Sequence, residues 1–293
     1  MPEYRHASTQ WENLTIANDF VFCKAMLDDE LCKDVLQTIL NIEIDRVEHV
    51  ERQHVIDGGP ESKAVRLDVY VRDGKGTVYD VEMQVCRESG LARRSRYYHA
   101  QMAMEQLERG SSYRDLPDAF SIFICLFDPF GKGRRVYSFQ NRCREVEGLA
   151  LGDGATTVFL SAASPSDPDQ PDSLNSLLDY INQGGASDGI TRRMDERVKN
   201  VLGSAEWRRQ YMLLEWRDQD NVEKGIKIGR EQGLKQGLEQ GLEQGREQGK
   251  QAGENRMGAL VAALLKAGRV EDASLASSDP DARKRLMKEL GID

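Results

Sequence analysis

The sequence has few of the features that mark a membrane, secreted or zinc-binding protein. No apolar run approaches the roughly 18 to 20 residues that span a bilayer, and the amino-terminal stretch MPEYRHASTQWEN contains no apolar signal core. The 5 cysteines form no CxxC pair, and the 4 histidines are dispersed. We therefore expect a cytoplasmic protein with reduced thiols, in which any metal ion is held by oxygen ligands.

An excess of positive charge is also absent, because the formal net charge is −9 at pH 7. This balance argues against a generally basic nucleic-acid coat, although a local basic patch could still bind DNA. The chain has 293 residues, of which 30% are charged and 39% hydrophobic. It can therefore build one sizeable core with appendages, or two modest domains.

The runs RLDVYV and VYDVEMQV each alternate apolar with polar residues, as strands with two unlike faces do. The intervening DGKG predicts a β-hairpin. Matching the apolar faces requires an odd-length loop, most simply residues 74–76, which sets Asp68 opposite Glu82 and Arg66 opposite Gln84. Facing like charges are destabilising. The carboxylates therefore either hold a divalent cation, or lie on a solvated face where Arg66 softens the repulsion.

The other patterns predict an α/β fold. Helical periodicity begins at Asn18, a good N-cap, and continues to Ile39. A strand then precedes the hairpin, and a second helix carries RRSRYYHAQMAMEQL. FSIFICLF has the length of a buried central strand, and RRVYSF and TTVFLSA are further strands. This order predicts a sandwich in which the hairpin lies beside a buried strand reached through a helical crossover.

Composition divides the chain into four parts. The run SPSDPDQPDS, after Ala163, has the composition of a linker. We assign residues 11–163 to the α/β core and residues 164–220 to a linker and helical extension. Residues 221–255 form a repeat helix, and residues 256–293 form a tail of short helices.

The repeat helix has a glycine at every fourth position from 225 to 253, eight in all. Such a stripe drifts only about 40° per step around a helix, and small residues let another helix approach closely. Eight glycines also cost on the order of 6 to 8 kcal/mol of helix propensity relative to alanine. We expect a homo-oligomer that forms through residues 225–253. The alternative is a flexible, partly helical arm.

Four segments, NDFVFCK, SKAVRLDVYV, VEMQ and RRSRYYHAQMAMEQL, resemble in order and spacing the recombination-promoting nuclease family. That family is also described as transposases of the PD-(D/E)XK nuclease superfamily. The resemblance covers roughly residues 15–163. It implies a restriction-endonuclease-like mixed-sheet core flanked by helices. It also implies a DNA endonuclease that promotes DNA recombination with Mg²⁺ as cofactor.

The resemblance implies that Asp68 and Glu82 bind Mg²⁺, with Gln84 where the superfamily more often has lysine. Gln84 can form hydrogen bonds but carries no charge. Lys63 could reach the site and replace that charge, or could be a solvated loop residue. Asp19 is either a catalytic acid on the first helix or an acid that the helix dipole favours in the first turn.

Two arginines of the second helix, Arg93 and Arg96, share one helix face because they are three residues apart. They either contact DNA phosphates or form the solvent-facing side of an amphipathic helix. A second function is consistent with Gln84 and the net negative charge. In that case the nuclease fold is a non-catalytic DNA- or protein-binding module, assembled through the glycine-repeat tail.

Overall fold

The described residues fall into two compact units, which divide between Leu213 and Leu214. In the described residues, no helix combines the length and apolar character needed to cross a membrane. The computed structural model describes residues 10–56, 65–107 and 109–292, without the side chains of residues 49, 51–56, 65 and 66.

A six-stranded mixed sheet organises the first unit. Its strand order is β1-β2-β3-β4-β6-β5, and the neighbours are antiparallel except for β3–β4 and β4–β6, which are parallel. The strands are β1 (Val47–Ile56), β2 (Val65–Asp73), β3 (Val78–Gln84), β4 (Ala119–Cys125), β5 (Val136–Phe139) and β6 (Ala155–Ser161). The helices are α1 (Asp19–Ala25), α2 (Asp29–Leu40), α3 (Leu91–Gln106), α4 (Asp172–Gln183), α5 (Gly189–Gly203), α6 (Ala205–Lys266), α7 (Val270–Ser278) and α8 (Pro280–Leu290).

The β2–β3 hairpin has the register that parity predicts. Val69 pairs with Val81, and the same register, continued by one residue, places Asp68 opposite Glu82. The loop between the strands is the odd-length turn of residues 74–76, because the backbone N–H of Asp73 donates to the carbonyl of Thr77 at 3.0 Å. The predicted hairpin and its register are confirmed.

The side chain of Asp73 explains why the chain turns at this point. One carboxylate oxygen accepts the backbone N–H groups of Lys75 and Thr77, both at 2.9 Å, and the other accepts the hydroxyl of Tyr79 at 2.9 Å. Gly76 has φ +86°, a left-handed conformation that glycine adopts without strain. The turn therefore fixes the register of β2, which carries Asp68, against β3, which carries Glu82.

Helix α3 makes the crossover between the parallel strands β3 and β4, as predicted. Its Tyr98 stacks on Phe123 of β4 at 6.1 Å between ring centroids, and Phe123 stacks on Phe159 of β6 at 4.9 Å. Met102, one turn after Tyr98, is fully buried in the same cluster. Helix α3 thus covers the sheet face that also bears Glu82, since Glu82 and Phe123 are register partners.

The single helix predicted from Asn18 to Ile39 is wrong, because the structure has two helices, α1 and α2. The break lies at Asp28, whose side chain accepts the backbone N–H of Leu31 at 2.9 Å and so caps α2. Burial alone would raise the pKa of Asp28. The hydrogen bond from Leu31 and the charge of Arg197 on α5 outweigh burial, so the net pKa is lowered.

The second unit contains the glycine repeat and a small core of its own. All eight repeat glycines lie within α6, and every residue from 221 to 253 is exposed. A Cβ atom built at any of these glycines would have no atom of the structure within 4 Å, apart from the helix's own backbone and chain neighbours. The end of α6 packs against α7 and α8 through a buried apolar cluster, which comprises Leu260, Leu264, Ala273, Ala276 and Leu286.

Candidate active site

Asp68 and Glu82 face each other across β2 and β3. The backbone N–H of Asp68 donates to Oε1 of Glu82 at 3.1 Å. The backbone N–H of Met83 donates to Oδ2 of Asp68 at 3.4 Å. Each carboxylate is therefore oriented by the backbone of the opposite strand, and hydrogen bonds to a charged acceptor are among the stronger ones in proteins.

The polar face of β3 is buried rather than solvated. The exposed fraction is 0% for Asp80, 4% for Glu82 and 8% for Gln84. On β3 the alternative prediction of a solvated polar face is therefore wrong. Asp68 of β2 is half-buried, and the side chain of Arg66 lies outside the described residues. Burying a charged group has a large free-energy cost unless the group is paired or coordinates a metal ion, so this face needs compensating positive charge.

Asp80 is a carboxylate of this face that the sequence analysis did not select. Its Oδ2 accepts the hydroxyl of Ser121 at 3.0 Å, and within the described residues its buried Oδ1 has no hydrogen-bond partner. Burial raises the pKa of Asp80 well above its usual range, and the charges of Glu82 and Asp68 raise it further, against Ser121 and Arg94. The signal in the sequence was its parity with Glu82, two residues later on the same strand.

Arg94 of α3 is a second residue that the sequence analysis missed. Its Nη1 lies 2.9 Å from Oε2 of Glu88, and its Nη2 lies 3.6 Å from Oε2 of Glu82. The guanidinium stands over the rings of Tyr98 and Phe123, at 5.6 and 5.4 Å from their centroids. A cation therefore lies beside the carboxylate face.

The predicted DNA contacts, Arg93 and Arg96, are both exposed on α3. They lie on either side of Arg94 in the sequence, but the structure brings only Arg94 to Glu82. Their predicted role in phosphate contact stays a prediction.

Asp19 is the first residue of α1 and is exposed, and its Oδ1 accepts the backbone N–H of Phe20 at 2.8 Å. Cys23, one turn later on the same helix face, donates its thiol to the backbone carbonyl of Asp68 at 3.2 Å. Helix α1 therefore passes beside β2 at Asp68, which places Asp19 one turn from that contact. A catalytic role for Asp19 stays a prediction. Lys63 lies outside the described residues.

Gln84 is the last residue of β3 and shares the face of Glu82. Its register partner is Cys125 at the end of β4, and its carbonyl accepts the backbone N–H of Leu126 at 3.0 Å. The backbone of Gln84 is therefore fixed to the end of β4. Its amide can donate and accept hydrogen bonds there, but it supplies no charge.

The donors of this site can be compared with the requirements of Mg²⁺. Among the described residues, no group of three or more histidine, cysteine, aspartate and glutamate side chains is arranged to hold a metal ion. Mg²⁺ commonly uses only one or two protein carboxylates, and water and substrate phosphates complete its coordination. Asp68 and Glu82 are such a pair, and the buried Oδ1 of Asp80 without a hydrogen-bond partner is a further oxygen on their face. These donors fit a hard divalent cation.

A mixed sheet with flanking helices, whose hairpin presents facing carboxylates, has the α/β organisation of PD-(D/E)XK nucleases. Residues 16–144 match the family model described as PD-(D/E)XK nuclease family transposase. The predicted family and fold class are confirmed. No curated protein and no solved structure matches the sequence. The match to a nuclease family implies DNA as the class of substrate.

Proposed function

We propose that the chain is a Mg²⁺-dependent DNA endonuclease that nicks or cuts DNA and thereby promotes recombination. The observation that carries this proposal is the contact of half-buried Asp68 with buried Glu82. Facing like charges destabilise a sheet by some tenths of a kcal/mol or more, and burial adds to that cost. A bound cation would offset both. Such an enzyme would act in the cytoplasm, the location that the sequence predicts.

In this mechanism Asp68 and Glu82 would hold the cation, and their hydrogen bonds to the backbone of the opposite strand keep both carboxylates in place without it. When bound, Mg²⁺ would lower the pKa of a water molecule and offset the charge that builds on the scissile phosphate. Gln84 orients the attacking water or touches the phosphate through its amide. Because the amide is neutral, the charge that a lysine would supply must come from elsewhere.

The DNA would lie against the exposed side of α3. Arg93 and Arg96 are exposed there, and arginine binds phosphate through paired N–H groups. Asp19 would act from the start of α1, close to the Cys23–Asp68 contact. We propose Lys63 only as a candidate source of positive charge.

A second candidate function is a non-catalytic nuclease-fold module that binds DNA or protein. The observation that favours it is Gln84, which occupies the position where the superfamily more often has the charged lysine. Such a module would retain the fold and the DNA surface, but it would not hydrolyse phosphodiester bonds.

A plasmid-nicking assay separates the two functions. Wild type should convert supercoiled plasmid to nicked or linear DNA with Mg²⁺ and should stop when EDTA is added. Asp68→Ala should be inactive under the same conditions. A matched control is Glu147→Gln, which removes one exposed carboxylate and should cleave as wild type does. DNA binding by wild type without any cleavage would favour the non-catalytic module.

We also propose that residues 225–253 assemble the chain into a homo-oligomer. In this proposal the core of residues 11–163 binds DNA, and the repeat helix mediates assembly. The support is that, in the part of the chain that the structure describes, no atom lies within 4 Å of a Cβ built at any stripe glycine, apart from the helix's own backbone and chain neighbours. Leu234, Leu238 and Leu242, each the residue after a stripe glycine, are exposed. A second copy of the helix would bury these leucines and approach the glycine backbone closely.

A further inference from the structure

The site needs positive charge, and Arg94 lies where it can supply some. Asp68, Asp80 and Glu82 share one face of the hairpin, whereas Gln84 is neutral. Arg94 is held from α3 by Glu88 on one side of its guanidinium and by the rings of Tyr98 and Phe123 beneath it. Only 27% of its side chain is exposed, so solvent screens its charge less than that of a surface arginine.

The contact between Arg94 and Glu82 is an ion pair without a hydrogen bond. Nη2 lies 3.6 Å from Oε2 of Glu82, beyond the range of a hydrogen bond. Within the described residues, Nη2 and Nε of Arg94 are buried without a hydrogen-bond partner. These two N–H groups lie on the edge of the guanidinium that can form two parallel hydrogen bonds to one carboxylate. Arg94 therefore compensates the charge of Glu82 without fixing Oε2 as tightly as the Asp68 N–H fixes Oε1.

From this geometry we propose that Arg94 is a positioning residue that balances Glu82 in the metal-free protein and competes with the divalent cation for it. The inference rests on the proposed function, because it takes Glu82 as a metal ligand. Arg94 thus stabilises the carboxylate face when no cation is bound. It weakens cation binding because its ion pair with Glu82 must be disrupted when the cation binds. The same charge stands beside the cation site in place of the lysine that Gln84 replaces.

Competition between Arg94 and the cation for Glu82 predicts that Arg94→Gln changes stability and Mg²⁺ affinity in opposite directions. Arg94→Gln removes the charge that compensates Glu82, so the metal-free protein should melt at a lower temperature. The same change should make Mg²⁺ bind more tightly, by roughly tenfold, since an opposite charge beside a carboxylate shifts its affinity for a proton by a factor of that size or more. A purely structural arginine would lower the melting temperature but leave the Mg²⁺ concentration dependence unchanged.

The experiment is a Mg²⁺ titration of the full-length chain, followed by thermal melting, which reports ligand binding without any need for activity. The variants are Arg94→Gln and Arg94→Lys. Arg144→Gln is a control for net charge, since Arg144 is exposed. We expect the half-saturating Mg²⁺ concentration to fall in Arg94→Gln, to stay close to wild type in Arg94→Lys, and to be unchanged in Arg144→Gln.

Three results would overturn the inference. If wild type binds Mg²⁺ and Arg94→Gln binds it equally or more weakly, Arg94 does not compete for Glu82, although the proposed function survives. If Arg94→Gln does not fold, Arg94→Lys decides the matter by the same titration, because a tenfold loss of Mg²⁺ binding with the charge retained would contradict competition. If wild type does not respond to Mg²⁺ at all, the proposed function fails, and the inference fails with it.

Discussion

The hairpin and the glycine repeat are both regular sequence patterns, but the fold treats them in opposite ways. In the hairpin, a period of two places Asp80, Glu82 and Gln84 on a face that is buried. In the repeat, a period of four places eight glycines on a helix whose residues 221–253 are all exposed. Both patterns have an energetic cost, which comes from facing carboxylates in the hairpin and from glycines within a helix in the repeat. We propose that a cation offsets the first cost and a second copy of the chain offsets the second.

The largest effect should follow from removing either carboxylate of the hairpin. Asp68→Ala and Glu82→Ala should each lower Mg²⁺-dependent DNA cleavage by about a hundredfold or more, because each removes a ligand of the cation that stabilises the transition state. Initial rates of plasmid nicking measure the loss. Circular dichroism should show wild-type secondary structure in both variants. Full cleavage by either pure variant would refute the assignment.

The next largest effect is expected on self-association when the glycine stripe is filled. Replacing Gly233, Gly237, Gly241 and Gly245 by leucine should raise the helix content, since each glycine costs about 0.8–1.0 kcal/mol of helix propensity relative to alanine. The same leucines should block close approach and shift the chain toward monomer. Circular dichroism measures the first change, and sedimentation velocity measures the second.

A control for that experiment changes the neighbouring glutamines, Gln232, Gln236, Gln240 and Gln244, to alanine. It raises helix propensity as well, but it leaves the glycine stripe open, so the oligomer should persist. If wild type sediments as a monomer at tens of micromolar, the repeat is a tether. The claim that a second copy of the chain offsets the cost of the glycines is then wrong.

A smaller change is expected at Gln84. Gln84→Lys should preserve cleavage or raise it by less than about tenfold, because lysine adds the charge that the amide lacks. The ratio of cleavage rates for variant and wild type, at saturating Mg²⁺, is the measurement. A loss as large as that of Asp68→Ala would mean that the site depends on the amide itself and takes its charge from a residue such as Arg94.

The smallest expected effect is a difference in the pH dependence of stability between two carboxylates, Asp80 of the candidate site and Asp28 of the α2 cap. The pKa of Asp80 is raised, so its contribution to stability is fully present below the unfolded value of about 3.8 and is lost as the pH rises through the raised value. The pKa of Asp28 is lowered, so its contribution is present above the unfolded value and is lost as the pH falls through the lowered value. Burying Asp80 therefore lowers stability at neutral pH, whereas the Arg197 pair and the helix cap of Asp28 raise it.

Melting temperatures of the metal-free protein between pH 3 and pH 8 test this contrast. Asp80→Asn should reduce the decline in stability on the alkaline side, and Asp28→Asn should reduce the decline on the acid side. Equal pH profiles for wild type and Asp80→Asn would show that Asp80 does not titrate as a buried carboxyl.

The hairpin register could be predicted from sequence because it depends on local information, namely a period of two and the parity of the loop. The break at Asp28 was missed because apolar residues keep helical spacing across it, so only the capping side chain marks the boundary. Arg94 was missed because it is one of three arginines within four residues. Its selection needs the position of the buried face, although Tyr98, four residues later on that face, was the available signal.

The most direct test of the central claim is Mg²⁺ binding to wild type compared with the double variant Asp68→Ala/Glu82→Ala. Isothermal titration calorimetry without DNA measures this binding independently of catalysis. The account predicts that wild type binds Mg²⁺ and that the double variant, although folded, does not. Equal binding by both proteins, or none by either, would contradict the claim that the hairpin holds these carboxylates together for a cation.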